Sequence, residues 1–293
     1  MKILSLFDGI SCGQLSLRQI GVDVETYYSS EIDKNSIEIT QHNFPNTIQL
    51  GDVNNWKEWN IDWKEIDLLI GGSPCQNLSF AGNGQGLNGE KSKLFYKYVE
   101  VLEFLKTINP DIKFLLENVK MKKEWMNNIT DILGVNPIEI NASLVSAQNR
   151  KRLYWCNWDV SQPKEKNLVL KDIILKEFDD SYFLSSQHYQ GFLKSYNWKY
   201  SDLNKKSSTL LACYDRQPPC SLYIKCDNSP SGFRRLSPEE CELLMTFPLN
   251  YTKFGKNRII SNSARYRSLG NSWVNEVIKH IFKNLVCGSK NNS

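Results

Sequence analysis

Short apolar runs alternate with amphipathic stretches through the first half of the chain. Lys2 to Phe7, Glu25 to Ser29, Ile48 to Leu50, Asp67 to Ile70 and Lys113 to Leu116 have the length and apolar content of buried strands. Between them Gly13 to Ile20, Asn35 to Asn43 and Lys93 to Lys106 follow a helical period. In the last of these, Leu94, Phe95, Tyr98, Val99, Leu102 and Leu105 fall on one stripe. The alternation predicts an α/β fold on a mainly parallel sheet, which Pro137 to Leu144 and Arg152 to Trp158 would extend.

After Trp158 the pattern loosens into irregular polar segments as far as about Gly232. This predicts a second, smaller domain at residues 159–231 inserted into a main domain made of 1–158 and 232–293. Helical order then returns. Ser237-Pro238-Glu239-Glu240 combines an N-cap serine, proline at the first helical position and glutamate at the third, which predicts a helix through Met245. Trp273 to Leu285 reads as a last helix that packs back on the main domain.

A chain of 293 residues, 41% of them hydrophobic, can bury a substantial core without staples. The N-terminal MKILSLFDGI is interrupted by Asp8 and does not read as a signal peptide, and no run of ~18 apolar residues suggests a membrane span. The expected location is therefore the cytoplasm, where the eight cysteines would stay reduced. No C-x-x-C pair occurs and there are only three histidines, so no metal site is expected.

The net charge of +4 is unevenly placed. Residues 1–119 carry 10 Lys and Arg against 16 Asp and Glu, and the remainder 26 against 16. That asymmetry fits either a polyanion along one side or an uneven solvated surface. Clusters at Arg150-Lys151-Arg152, Lys205-Lys206 and Arg234-Arg235 favour phosphate binding.

The candidate chemistry collects at predicted strand ends. Phe7-x-Gly9-x-x-x-Gly13 closes the first strand and opens the first helix, where glycines admit a ligand to the backbone. Glu31 follows the second strand at an offset suited to a ribose diol, and Asp52 follows the third, where an acid could accept from an adenine amino group. Phe7 could stack on such a base. Pro74-Cys75 follows the fourth strand, so the thiol is expected beyond the sheet edge, where open α/β sheets bind ligands, rather than within the core. Glu117, at the end of the fifth, could serve as a proton donor beside it. Gly84-Gln-Gly86-Leu-Asn-Gly89 matches a dinucleotide fingerprint but follows no strand, and reads as part of a mobile loop, Ala81 to Lys91. Pro74-Cys75 lacks the second cysteine and the H-x-E of a zinc deaminase.

Eight motifs in order resemble the DNA (cytosine-5) methyltransferase family: Phe7-x-Gly9-x-x-x-Gly13, Glu31, Asp52, Pro74-Cys75-Gln76, Glu117-Asn118-Val119, Gln148-x-Arg150-x-Arg152, Arg234-x-Leu236-Ser237-x-x-Glu240 and Gly270-Asn271-Ser272. The likeness is to compact bacterial or phage members. Phe7-Asp8-Gly9 and the short recognition region look more like animal de novo methyltransferases, and Trp273 after Gly270-Asn271-Ser272 departs from the commonest bacterial form.

The resemblance implies a Rossmann-like methyltransferase sheet with a smaller target-recognition domain. It also implies S-adenosylmethionine, with Phe7, Glu31 and Asp52 around its adenosine, Gly9 and Gly13 near its methionine part, and Pro74, Asn271 and Ser272 among its contacts. It gives Cys75 the role of nucleophile toward cytosine C6, Glu117 that of donor to N3 and Arg152 that of holding O2. Asn118 would help place Glu117.

The target base must leave the duplex. Gln76 or Ser79, in a loop from Gln76 to Lys91 that resembles the family's closing loop, would help fill or brace the vacated space. Arg150, Thr209 of Ser208-Thr209-Leu210, and Arg234 would contact nucleic acid. The implied activity is site-specific methylation of double-stranded DNA, with a restriction endonuclease of the same host as a further partner on a separate chain. Two other readings stay open: a transfer-RNA cytosine-5 methyltransferase, since one branch of the family acts on such RNA, and an inactive DNA-binding homologue.

Overall fold

The computed structural model describes residues 1–74, 93–185, 200–215 and 222–290. Seven strands form one sheet: β1 (Lys2–Leu6), β2 (Thr26–Ser30), β3 (Ile48–Gln49), β4 (Leu68–Gly71), β5 (Lys113–Val119), β6 (Ile138–Asn141) and β7 (Lys151–Cys156), in the order β3-β2-β1-β4-β5-β7-β6. The first five run parallel, and β7 lies antiparallel to both β5 and β6. Each strand expected from the apolar runs is present, although the segment from Pro137 narrows to β6 and then turns into a 3-10 helix, Ala142–Leu144.

Alternate side chains of the central strands feed two cores, as the pleat requires. Ile3, Leu68, Ile70 and Leu115 face a layer containing helices α1 (Cys12–Gln19) and α2 (Lys34–Asn43). Leu4, Leu6, Leu69, Phe114 and Leu116 face α3 (Lys93–Ile108) and α4 (Lys123–Leu133). The stripe predicted on α3 is buried in this second layer, with Phe95, Tyr98, Leu102 and Leu105 at 0% exposure.

The first layer is completed from the far end of the chain by α5 (Pro238–Leu244), α6 (Asn262–Asn271) and α7 (Asn275–Lys290). The last helix does pack back on the main sheet. The Ser16 hydroxyl donates to Asn275 Oδ1 (2.9 Å), and Asn275 Nδ2 donates to Gln19 Oε1 (2.8 Å), tying α7 to α1.

The start of α5 is as the local pattern predicts. Glu240 N donates to the Ser237 hydroxyl and Ser237 N donates to the Glu240 carboxylate. A two-stranded ribbon pairs β8 (Tyr223–Lys225) with β9 (Phe233–Arg235), so it straddles the boundary expected at residue 232. Among the described residues, no helix is long and apolar enough to cross a membrane.

Register builds one functional edge. Leu6 pairs with Ser30 and with Gly71, and Gly71 pairs with Leu116. The residues that follow at this level are Phe7, Glu31, Gly72 and Glu117, which therefore emerge together. The antiparallel β7 starts at the same edge, bringing Arg152 opposite Val119.

Candidate active site at the sheet edge

At this edge lies a cavity of about 290 Å³, lined by residues from nearly every element that ends there, Phe7, Glu31, Pro74, Glu117, Arg152 and Asn271 among them. Its first wall is the β1–α1 turn. Phe7, Gly9 and Ser11 all adopt positive φ there, at 57°, 60° and 54°. Such a conformation is uncommon for a phenylalanine and marks a turn held by its surroundings.

The holder is Asp8. Its carboxylate accepts from the hydroxyls of Ser5 (2.6 Å), Tyr27 (2.7 Å), Ser29 (3.0 Å) and Ser11. Burial keeps this carboxyl above its usual range, against the opposing effect of the hydroxyl donors. Asp8 is thus an internal anchor of the turn, a role that neither its place in Phe7-Asp8-Gly9 nor its break in the apolar run reveals.

Glu31 locks the second wall. One carboxylate oxygen accepts from Gly9 N (2.8 Å), the other from Ile32 N and Asp33 N (2.8 Å each). Asp33 in turn caps α2 and pairs with Arg267 at 2.6 Å, so α2 and α6 meet at the cavity rim.

The third wall carries the candidate acid. Glu117 Oε1 forms an ion pair with Arg152 Nε at 3.1 Å, and Oε2 accepts from the Trp273 indole N–H at 3.0 Å. Glu117 and Arg152 side chains are only 12% and 17% exposed, so the pair faces the cavity rather than bulk solvent. Asn118, fully buried beside them, donates to the Ser73 hydroxyl (3.1 Å). That bond ties β5 to the segment Ser73-Pro74 leading to Cys75, so Asn118 positions the approach to the cysteine at least as directly as it places Glu117.

The model of the C-5 cytosine-specific DNA methylase family matches residues 1–181 and 161–287. The chain belongs to this family. An orphan methyltransferase of Bacillus phage SPR is 29% identical over 288 residues, which are 90% of this chain and 62% of that protein. The chain thus spans under two thirds of the length of that phage relative. A type II methyltransferase of Bacillus sp. is 27% identical over 97% of this chain and 98% of its own length. Among solved structures, the Entamoeba histolytica methyltransferase EhMeth has the same fold, with a TM-score of 0.78 at 18% identity over 97% of each chain. A mutant of Spodoptera frugiperda DNMT2 gives 0.73 at 22% identity, over 97% of this chain and 99% of that one.

In this member of the family, nine of the residues given a role from sequence line one cavity: Phe7, Gly9, Glu31, Pro74, Glu117, Asn118, Arg150, Arg152 and Asn271. Cys75, Gln76 and Ser79 lie outside the described residues. Others sit elsewhere. Gly13 is buried in the first turn of α1, where a Cβ would come within 2.4 Å of Ile70 Cδ1, so it serves close packing of α1 on β4. Asp52 caps a 3-10 helix, Val53–Glu58, through Asn54 N and is not a lining residue of the cavity. Ser272 is buried, its carbonyl accepting from Arg150.

Two of the arginines expected on nucleic acid are internal. Arg234 is 1% exposed and forms two 2.7 Å bonds to the Glu240 carboxylate, so it is a core residue rather than a phosphate contact. Arg150 is 5% exposed and donates to the carbonyls of Leu210, Gly270 and Ser272, knitting three chain segments together behind the cavity. The Thr209 hydroxyl donates to the Asn149 carbonyl (2.6 Å), which fixes the Ser208-Thr209-Leu210 element beside the approach to β7.

Sequence reasoning missed Arg267, Ser268 and the link from Trp273 to Glu117. Only Trp273 had left a signal, as a departure from the commonest motif. Of the described cysteines, Cys12, Cys156 and Cys241 are buried and burial pushes their thiols up, Cys156 to about 11. A thiol is a nucleophile only when ionised. These three are therefore packing residues.

Proposed function

We propose that this methylase is a site-specific DNA cytosine C5 methyltransferase that uses S-adenosylmethionine and a covalent Cys75–C6 adduct on a flipped-out cytosine. One observation carries the reading. Glu117 is held by Arg152 and Trp273 at the same strand-end cavity that Pro74 enters and that Phe7, Gly9 and Glu31 wall on the other side.

The cavity residues suit the cofactor. Phe7 offers a ring face, and Glu31 a fixed carboxylate whose three backbone donors leave roughly one of its four acceptor sites for a ribose hydroxyl. The Ser268 hydroxyl, buried and with no partner among the described residues, lines the same space and offers a further hydrogen bond. When bound, S-adenosylmethionine supplies an electrophilic methyl group.

The chain's own residues prepare the base. The Cys75 thiolate adds to C6, Glu117 holds a proton at N3 and Arg152 holds O2, which makes C5 nucleophilic. After methylation, loss of the C5 proton and elimination release Cys75. The difficult substitution is thereby divided into easier steps. Residues 159–231 supply target recognition, and the substrate places the enzyme in the cytoplasm of a bacterial or phage-infected cell. Relatives are named both orphan and type II methyltransferases, so a companion endonuclease enters this proposal only as a separate chain reading the same sequence.

The test is bisulfite sequencing of DNA from a methylation-free host expressing the chain. Protected cytosines confined to one short motif are expected. Absence of protection together with methyl transfer to RNA would replace DNA by RNA as the substrate, and absence of both would leave the inactive homologue.

Binding of duplex DNA should also weaken steeply with salt, by about 0.9 log unit per log unit of salt for each phosphate neutralised. A flat dependence, measured by fluorescence anisotropy between low and physiological salt, would remove the basic part of the chain from the interface.

A further inference from the structure

We propose that Trp273 is a positioning residue for Glu117: its indole N–H selects which carboxyl oxygen carries the proton delivered to the base. The inference rests on the proposed cytosine chemistry, in which Glu117 must present a proton at N3.

Both oxygens of Glu117 face donors. Arg152 Nε meets Oε1 at 3.1 Å and the Trp273 indole N–H meets Oε2 at 3.0 Å. Neither partner can accept a hydrogen bond. A proton on Glu117 must therefore displace one of them.

The two partners differ in freedom. Arg152 has a long, flexible side chain at the cavity wall, and its guanidinium also bonds the Lys151 carbonyl through Nη1. It can turn away from Oε1, and in the proposed reaction it turns toward the O2 of cytosine.

Trp273 has no such latitude. Its ring lies against α1 on one side, with Cζ3 3.8 Å from the position a Cβ on Gly13 would take. On the other side it lies under Gly72, where a Cβ would be 2.8 Å from Nε1 and 3.1 Å from Glu117 Oε2. Gly72 thus leaves just enough room for the indole and the carboxylate to meet. The carbonyl of Trp273 also accepts from the Cys12 thiol.

The wedged indole keeps Oε2 as an acceptor, so the proton sits on Oε1, the oxygen that Arg152 uncovers. Without the indole N–H, the carboxyl can rotate and place its proton on the oxygen turned away from the base. A misplacement of this size costs up to about a hundredfold in rate.

Trp273→Phe keeps a ring in the slot and deletes only the donor. Single-turnover methyl transfer to duplex DNA should slow by about 10- to 100-fold, while the dissociation constants for DNA and S-adenosylmethionine change by less than about twofold. The decisive comparison is the same substitution in a Glu117→Ala background. If Trp273 acts through Glu117, no further slowing occurs; an equal loss in both backgrounds would assign Trp273 a structural role and overturn the proposal.

Gly72→Ala, which keeps the indole in the sequence but pushes it and the carboxylate apart, should reproduce the slowing. A readout independent of turnover is the indole N–H resonance of Trp273, assigned by its loss in Trp273→Phe. It should move on Glu117→Ala, and a fixed resonance would refute the contact. Wild-type protein that transfers no methyl group to any nucleic acid, with the resonance still moving, would instead count against the proposed activity alone.

Discussion

Cys75→Ser is expected to reduce methyl transfer by at least about 10³-fold while leaving S-adenosylmethionine binding nearly unchanged. Addition to cytosine C6 needs a nucleophile that is ionised and polarisable, and a serine hydroxyl in the same place is neither. None of the buried thiols can take over, because burial suppresses ionisation of Cys12, Cys156 and Cys241. These three therefore offer no internal rescue.

Two measurements check this. One is transfer of a labelled methyl group to duplex DNA. The other is a denaturation-resistant adduct with DNA carrying 5-fluorocytosine at the target, where fluorine at C5 cannot leave as the proton does. The adduct should form with the wild type and be missing with the Ser variant. A Ser variant as active as the wild type would end the nucleophile assignment.

The second large effect is on stability. Arg234→Met should cost about 3–5 kcal/mol, because it strips two charge-assisted bonds from a carboxylate that has 0% side-chain exposure. Glu240 keeps its bonds from Ser237 N and Leu175 N, but those cannot balance a buried charge. The guanidinium also stacks over Phe178 at 3.9 Å, a contact that methionine replaces only in part.

A fall in Tm of roughly 10 °C is expected by differential scanning fluorimetry. Replacing both partners, Arg234→Met with Glu240→Gln, should recover much of it, since no uncompensated charge then remains. The same variant separates the core role from the surface one. If Arg234 met a DNA phosphate, Arg234→Met would lower the salt slope by about 1. An unchanged slope is expected.

Arg234 illustrates what composition hides. A cluster such as Arg234-Arg235 reads as a phosphate site because charge usually lies at the surface. Its partner is Glu240, six residues on, which the same sequence reading had already used as the helix cap. One carboxylate does both jobs, and only coordinates reveal that it can. Arg150 is the same case with partners 60, 120 and 122 residues away.

Helices α4 and α6 also went unread. The buried face of α6 includes Arg265, Ser268 and Gly270, so no apolar stripe marks it in the sequence, whereas α4 carries Trp125, Met126, Ile129 and Leu133 at helical spacing and was legible from its period.

From the order of residues alone followed the alternation of strand and helix, the capped start of α5 and the set Phe7, Gly9, Glu31, Pro74, Glu117, Arg152 and Asn271. These depend on local period, cap chemistry and motif order, which are written in consecutive positions. The tertiary structure decided the rest. Parallel register brings Phe7, Glu31, Gly72 and Glu117 to one level, and the antiparallel entry of β7 sends Arg152 to meet Glu117 from the other direction. Trp273 reaches the same carboxylate from 156 residues away. Such contacts depend on strand register and on the space Gly72 leaves, and neither quantity belongs to any short stretch of sequence.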